Sequence, residues 1–544
     1  MKKLILLLLV CCTTLSIFAQ TRVRYMDSVF ASVAKTTVIY GQNYTIATLA
    51  VPSIAHTSKQ PLVADIYQPT GDTATKRPVM IFVPTSNFLP KSVRSSPTGD
   101  RQDSVGVEFC NRFAKMGYVT LSMDYRLVWN PFASTQTERI FGLINAAYRG
   151  IQDFRTAVRY VKANAAILNV DTNKIMTIGD GTGGYITLGA AHFDKYNEVI
   201  TTQRPQGKFT ALVGGQVTPM VIEAFNGDIN GTSFGRWPVT GVPGIPIPPG
   251  DTLCIANHVG FGSTIQLAVN LGGAVGDYTW VEANSVPTIS ISCPHDANAP
   301  YRDSTLLVGT GGGGTLPVVQ VQGSHWVQMR LDSLKVNDAF TKIKAANDPY
   351  KALVAPRNAA ARTYSGTTST SLNLGSTYAS GLFPIHGFSD VDSAPWQWWS
   401  TDTLRQPNGM NAAALAGNPG MSAAKARKYI DSMMVFIIPR ACVTLKLPCA
   451  SLVSSTEELL QSYNTKLAIS PNPSSSFITF ESEAYNPIQA IELFDLSGRS
   501  VRVVRNINNA QYQLDRGNLT SGMYIAKIKF EGGILSKKIV FEKQ

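Results

Sequence analysis

The chain has 544 residues, of which 44% are hydrophobic and 15% charged, and its formal net charge is +12. This length and composition predict a globular protein with more than one domain. The basic residues are spread along the chain rather than gathered into runs. They therefore favour weak attraction to acidic surfaces or glycans and do not predict a nucleic-acid partner.

The first 19 residues have the pattern of a cleaved signal peptide. A charged start at 1–3 precedes an apolar run at 4–10, and Ala19 places a small residue at the predicted cleavage point. The apolar run is too short to span a bilayer, and no later segment is long enough to do so. We therefore expect an exported chain with no integral membrane segment.

Five cysteines follow the predicted signal peptide. Cys442 and Cys449 lie close together in a segment bounded by prolines, which makes them the best candidates for a disulfide in an oxidising compartment. The odd number argues against a dense disulfide scaffold, and Cys110, Cys254 and Cys293 are predicted to be buried thiols. No Cys/His spacing is typical of zinc, so the sequence predicts no metal site and no cofactor.

Strand-like and helix-like segments alternate along most of the chain. Strands are predicted at 37–40, 44–51, 62–67, 78–84, 118–125 and 174–178, and helices at 107–116, 148–166 and 185–193. The alternation resumes with strands at 265–271, 287–292 and 317–321 and a closing helix at 423–438. The glycine- and proline-rich segments 201–264 and 337–420 are predicted insertions. This order predicts an α/β fold over residues 20–450, with a doubly wound, mostly parallel sheet and helices on both faces.

The C-terminal part of the chain has a different pattern. Residues 451–465 read as a polar linker, and 466–544 contain short alternating strands separated by turn residues. This pattern is typical of a small all-β sandwich.

A predicted strand runs directly into a glycine-lined turn within 174–185. In hydrolases a turn of this kind, the nucleophile elbow, needs small residues two positions before and two after the nucleophile, because the turn is tightly packed. Gly179 and Gly183 provide them, but the nucleophile position between them is Gly181. Glycine has no side chain to attack an acyl carbon, so an acyl-enzyme cannot form at this position.

Two resemblances add to these patterns. The tail resembles the C-terminal sorting domain of the type IX (Por) secretion system, on residues 470–473, 493–499, 519–524 and 537–540. The resemblance implies handling by the type IX secretion machinery, export through the periplasm and across the outer membrane, and then release or attachment to the cell surface.

The body resembles secreted α/β-hydrolases of the carboxylesterase and feruloyl or acetyl xylan esterase type. The matching segments are 64–69, 113–118, 124–127, 152–160, 171–175 and 179–184. Their order implies an α/β-hydrolase fold whose substrates are esters.

The resemblance also implies positions for the other catalytic groups. Asp296, after the predicted strand 287–292, matches the acid, and His325 matches the general base. His386 is the runner-up for the base, and His295 is interpreted as incidental. Asp296 could instead be a turn residue that caps the next helix.

Alternatives to a missing nucleophile stay open. Thr182 would serve if the register shifted by one position, Asp180 would serve as in epoxide hydrolases, and water could attack directly with help from His325. The oxyanion loop departs from the His-Gly-Gly pattern of many family members, and its Pro84 has no N–H to donate. The candidate donors are therefore Ser86, Asn87 and Thr182.

A cluster of tryptophans follows in the second predicted insertion. Trp396, Trp398 and Trp399 form either a stacking platform for a sugar or aromatic ring, or the packed core of a lid. Taken together, the sequence predicts an esterase-like protein that is weak or inactive and binds a small ester or acylated glycan. The alternatives are an active carboxylesterase with an unusual nucleophile such as Thr182, and a surface structural protein.

Overall fold

The computed structural model describes residues 22–46, 56–89, 96–241, 247–294, 296, 299–309, 314–349, 379–385, 392–401, 414–454, 467–482, 487–530 and 533–543. Up to residue 454 the strands are β1 (Val33–Thr45), β2 (Ser58–Pro69), β3 (Arg77–Val83), β4 (Val119–Met123), β5 (Val170–Asp180), β6 (Thr210–Val213), β7 (Gln216–Pro219), β8 (Gly235–Arg236), β9 (Thr252–Cys254), β10 (Leu267–Leu271), β11 (Ala274–Val275), β12 (Thr288–Ser292), β13 (Asp303–Gly309), β14 (Thr315–Gly323) and β15 (Leu382–Pro384). The helices are α1 (Ser104–Lys115), α2 (Gln136–Ala163), α3 (Ala165–Leu168), α4 (Thr182–His192), α5 (Glu223–Asn226), α6 (Ser324–Ser333), α7 (Asp338–Thr341), α8 (Ala423–Thr444) and α9 (Ala450–Val453).

Eight strands form the central sheet, in the order β1-β2-β4-β3-β5-β10-β12-β15. The β1–β2 and β2–β4 pairs are antiparallel, and every pair from β4 to β15 is parallel. Every residue of β3, β4, β10 and β12 is buried, as expected of parallel strands covered on both faces. The predicted doubly wound, mostly parallel α/β fold is confirmed.

The eighth strand comes from a segment predicted to be irregular. β15 pairs with β12 through Leu382 and Ser290 and lies within the predicted insertion 337–420. The predicted strand 317–321 belongs instead to β14, which forms a separate sheet with β11 and β13, so its placement in the alternation was wrong. The three residues of β15 are too few to show a pattern in the sequence, so this strand was not predicted. The nine residues of β14 are enough to show a strand, although not which sheet it joins.

Two element boundaries also differ from the sequence pattern. The predicted strand 37–40 and the start of 44–51 form one strand, β1, with an irregularity between Ile39 and Gly41. Helix α2 begins at Gln136 rather than at 148, because Thr135 and Glu138 form a capping box that starts it earlier.

The predicted cysteine chemistry is confirmed. Cys442 and Cys449 form a disulfide at the end of α8 with their Cα atoms 5.5 Å apart. Cys110, Cys254 and Cys293 are free and buried. Burial raises the pKa of the Cys110 thiol to about 12, which makes it an inert core residue rather than a nucleophile.

The tail consists of two antiparallel sheets. Its strands are β16 (Ala468–Ser470), β17 (Phe477–Glu481), β18 (Ala490–Phe494), β19 (Ser500–Val504), β20 (Gln511–Asp515), β21 (Gly522–Phe530) and β22 (Gly533–Phe541). They pair in the orders β16-β17-β20 and β19-β18-β21-β22, and Ile478 and Leu493 from the two sheets share one apolar core. The predicted all-β tail is therefore confirmed.

Candidate active site at the elbow

The predicted tight turn lies at the carboxyl end of β5. Gly181 links Asp180 of β5 to Thr182 of α4 with φ 53° and ψ −116°, in the positive-φ region that favours glycine. A Cβ added to Gly179 would lie 2.1 Å from the Gly183 carbonyl oxygen, and one added to Gly183 would lie 2.0 Å from that of Val83. Both flanking positions therefore require glycine, as an elbow does.

The side chain of Thr85 occupies the space at the tip of this turn. A Cβ added to Gly181 would lie 2.4 Å from Thr85 Oγ1 and 2.9 Å from Thr85 Cβ. The Thr182 N–H donates to Thr85 Oγ1 over 3.4 Å, and the Ser86 N–H donates to Thr182 Oγ1 over 2.7 Å. Each of these two N–H groups beside the elbow is thus bonded to a threonine hydroxyl. Sequence reasoning missed Thr85, because only the fold brings it to the turn.

The predicted oxyanion-loop residues face different directions. Ser86 Oγ is buried and lies 2.6 Å from the Tyr125 hydroxyl, which also donates to the Pro84 carbonyl over 3.0 Å. Asn87 is exposed and lines the cavity at the elbow, as do Thr85 and Thr182. The Ser86 hydroxyl therefore packs under the loop, and of the predicted donors only Asn87 and Thr182 reach the cavity.

The candidate acid lies near the elbow. Asp296 follows β12, lines the same cavity as Gly181, and accepts the Ala299 N–H through Oδ1 over 3.3 Å. Its Oδ2 lies 3.1 Å from the position of a Cβ on Gly272, the residue after β10. The carboxyl ends of β5, β10 and β12 thus bring Gly181 and Asp296 to one edge of the sheet, where α/β proteins bind their ligands.

The candidate bases are placed less simply. His325 is buried at the start of α6. Its backbone N–H donates to the Tyr301 carbonyl over 2.9 Å, and its ring centroid lies 5.5 Å from that of Tyr301. It follows β14, outside the central sheet, and is not among the described residues that line the cavity.

The runner-up base follows the eighth strand in the sequence. The Ile385 N–H donates to the Ser292 carbonyl over 2.9 Å, and His386 is the next residue along the chain. His386 and His295 lie outside the described residues. The identity of the base therefore stays a prediction.

Asp180 ties the tryptophan segment to the elbow. This carboxylate is 1% exposed and accepts the indole N–H of Trp396 over 2.8 Å and the Gln397 side-chain amide over 2.5 Å. Trp396 and Trp399 line the cavity, whereas Trp398 packs against the core beneath the Arg427 guanidinium, which lies 5.4 Å from its ring centroid. The structure therefore brings two of the three tryptophans to the cavity.

The cavity has a volume of about 450 Å³, within the range of small-molecule sites. Asp180, Thr182, Asp296 and Gln397 line it at the elbow, and Ser96, Thr98, Ser393 and Asn418 are further polar residues of its wall. Its apolar and aromatic lining includes Trp129, Phe193, Phe209, Trp280, Leu306 and Val321. No group of three or more potential metal ligands occurs in the described part of the chain.

Two segments of the chain match known protein families. Residues 64–214 match the BD-FAE family, and residues 468–542 match the secretion system C-terminal sorting domain. The chain carries an esterase-like BD-FAE domain and a secretion sorting domain. The BD-FAE match includes the elbow and ends before Asp296 and His325.

The matches among solved structures are more distant. Esterase 2 of Thermogutta terrifontis phosphorylated by paraoxon is 16% identical over 49% of this chain and 73% of that chain, with a TM-score of 0.27. The propionate-bound form from the same organism is 16% identical over 49% of this chain and 74% of that chain, with a TM-score of 0.26. Scores this low carry no argument about function. No curated protein matches the chain.

The sorting domain indicates export to the cell surface or beyond. The family match at residues 468–542 implies handling by the type IX secretion machinery. Among the described helices, none is long and apolar enough to cross a membrane.

Asp180 of the BD-FAE domain is expected to make stability depend on pH. Burial raises the pKa of this carboxyl from 3.8 to about 6, against the opposing hydrogen bonds from Trp396 and Gln397. The native state then holds the proton more tightly than the unfolded chain, so this group destabilises the fold as pH rises from about 4 to about 6. The difference of about two pKa units corresponds to about 3 kcal/mol at pH 7.

The variant Asp180→Asn has no such titration. We expect the free energy of unfolding of the variant, minus that of the wild type, to increase by about 3 kcal/mol between pH 4 and pH 7. Urea unfolding followed by tryptophan fluorescence measures this, because all seven tryptophans lie before residue 400 and report on the α/β part of the chain rather than on the β-strand tail. A difference that stays constant with pH would contradict the assignment.

Proposed function

We propose that this protein is an exported, esterase-like binding protein that holds a small ester-type ligand at the elbow without forming an acyl-enzyme at residue 181. The observation that carries the proposal is the pairing of an elbow backbone at Gly181 with the Thr85 hydroxyl beside it. In an ester hydrolase, a side chain at this point attacks the acyl carbon and the next backbone N–H stabilises the resulting oxyanion. Here residue 181 has no side chain that could attack, and the next backbone N–H, that of Thr182, donates to the Thr85 hydroxyl.

The ligand class follows from the cavity and the fold. The polar groups beside Gly181 and Asp296 suit an ester or acyl carbonyl, and the apolar and aromatic part of the lining suits its acyl or aryl part. An acylated glycan fits the same arrangement if its sugar stays at the cavity mouth. Release from the cell or attachment to its surface, after passage through the periplasm, completes the proposed role.

Turnover and covalent labelling test the absence of acyl-enzyme chemistry. We expect the purified mature protein to hydrolyse p-nitrophenyl acetate no faster than buffer does, and to give no adduct with a fluorophosphonate. Turnover that His325→Ala or His386→Ala abolishes would contradict the proposal and would also identify the base.

Binding tests the ligand site directly. We expect p-nitrophenyl butyrate to bind, with a Kd raised roughly tenfold by Trp399→Ala, because Trp399 lines the cavity. Trp398→Ala is the matched control and should leave the Kd within about twofold, because Trp398 packs beneath Arg427 outside the cavity. Equal effects of the two substitutions, measured by calorimetry, would contradict the site.

A second candidate function is an active carboxylesterase with an unusual nucleophile. The observation that favours it is the presence of two threonine hydroxyls at the elbow, Thr85 and Thr182, both on cavity-lining residues. Thr182 Oγ1 already accepts the Ser86 N–H and lies 3.1 Å from the Tyr125 hydroxyl, which directs it toward the loop. A fluorophosphonate adduct mapped by mass spectrometry to Thr85 or Thr182 would establish this function instead.

A further inference from the structure

Trp280 borders two cavities. It lines the elbow cavity of about 450 Å³ and also a second cavity of about 320 Å³. Trp280 is the one described residue that contributes to the walls of both. The wall of the second cavity is mixed, with Ala190, Ile265 and Val286 beside Arg155 and Glu282.

The indole is held firmly in this position. It is 4% exposed, and its N–H donates to the Glu198 carbonyl over 3.1 Å. Its ring centroid lies 4.7 Å from that of Phe193 and 6.1 Å from that of Phe209, both of which line the elbow cavity. A Cβ on Gly276 would lie 2.4 Å from the Trp280 ring, so the backbone also packs closely against the indole.

Both cavities offer apolar wall to a chain, and Trp280 belongs to both walls. The elbow cavity suits an apolar chain, because aromatic and aliphatic side chains such as Phe193, Phe209 and Val321 line it. Methylenes placed in the second cavity would still gain from burial against Ala190, Ile265 and Val286, so a limit on chain length at this point comes from the bulk of the indole.

We propose that the ligand carries a single extended acyl chain, with its carbonyl end at the elbow and its far end against Trp280, and that Trp280 sets the longest chain the site accepts. This inference rests on the proposed function, since it assigns the chain class and the length limit of that same site. Trp280 is in this sense a specificity residue that acts by occupying space.

A series of straight-chain methyl esters, from butanoate to dodecanoate, tests the inference on the full mature chain by calorimetry. For the wild type we expect the Kd to fall about fourfold for each added methylene up to one length, and then to rise. In Trp280→Ala the length of tightest binding should increase by at least two methylenes, because the second cavity becomes accessible. Trp280→Phe, which disturbs the packing less, should show a smaller shift in the same direction and serves if the alanine variant does not fold.

Trp129→Ala is the matched control. Trp129 lines only the elbow cavity, so its removal widens the site and should weaken binding at every length without moving the optimum. An optimum that stays in place in both Trp280 variants, or one that moves equally in Trp129→Ala, would overturn the length limit while leaving the proposed function standing. Failure of every ester to bind the wild type would overturn the proposed function, and this inference with it.

Discussion

Replacing Gly181 by serine is expected to destabilise the BD-FAE domain by about 3 kcal/mol and to yield no covalent adduct with a fluorophosphonate. The new Cβ would lie 2.4 Å from Thr85 Oγ1, so Thr85 or the elbow must move. Even a well-placed serine would still have a Thr182 N–H that donates to Thr85 rather than to an oxyanion. Restoring the missing residue alone therefore does not restore the site.

The double variant Gly181→Ser with Thr85→Gly is expected to behave differently. Removal of the Thr85 side chain opens the space for the serine and frees the Thr182 N–H, so most of the lost stability should return. If the acid and base are in place, the serine should then react with the fluorophosphonate, as mass spectrometry of the peptide around residue 181 would report. Recovery of stability without labelling would place the defect in the base or acid.

Gly71→Ser is the control for backbone strain. Gly71 also has a positive φ, 80°, but no atom lies within 4 Å of an added Cβ. Its substitution should cost only about 1 kcal/mol, measured by urea unfolding, because it adds strain without a clash. Equal losses at Gly71 and Gly181, or labelling of the Gly181→Ser single variant, would show that Thr85 does not block the site.

Removal of the Asp153 carboxylate is expected to cause the largest loss of stability, about 3–5 kcal/mol for Asp153→Ala. Asp153 of α2 pairs with Arg126, and both side chains are 0% exposed. The guanidinium also donates to the carbonyls of Tyr44 and Leu253 over 3.2 and 3.1 Å. Without its partner, Arg126 would be a buried charge that joins β1, β9 and α2 but is no longer neutralised.

The control for this prediction is a surface pair. Asp431 lies 2.5 Å from Arg112, with its side chain 63% exposed, so Asp431→Ala should change the free energy of unfolding by no more than about 1 kcal/mol. Urea unfolding followed by tryptophan fluorescence compares the two variants. A loss for Asp153→Ala no greater than that for Asp431→Ala would mean that the buried pair does not hold these elements together.

The Arg126–Asp153 pair also explains why two separate segments carried the resemblance to α/β-hydrolases. Segments 124–127 and 152–160 each looked typical of the family, but the sequence did not show that one side chain of the first neutralises one of the second. Burial makes the two residues depend on each other, because neither charge could be buried alone. The structure thus shows that the two segments are linked by one contact, the ion pair between Arg126 and Asp153.

The sequence by itself determined the features that depend on near neighbours. The glycines of the elbow, the alternation of strands and helices, the tail and the Cys442–Cys449 bridge all follow from spacing within a few residues, where chain geometry leaves few choices. The predictions from sequence were weakest in the long, irregular segments. One of these, 337–420, contains β15, whose three residues show no strand pattern although they complete the central sheet.

Only the tertiary structure decided what stands at the elbow and which residues line the cavity. Thr85 and Thr182 are 97 positions apart in the sequence, and nothing near either residue indicates that one hydroxyl accepts the other's N–H. Trp280 likewise lines two cavities, and Phe193, Glu198 and Phe209, which contact it, come from separate segments of the chain. Contacts of this kind arise from the packing of whole elements against one another, so no local pattern encodes them.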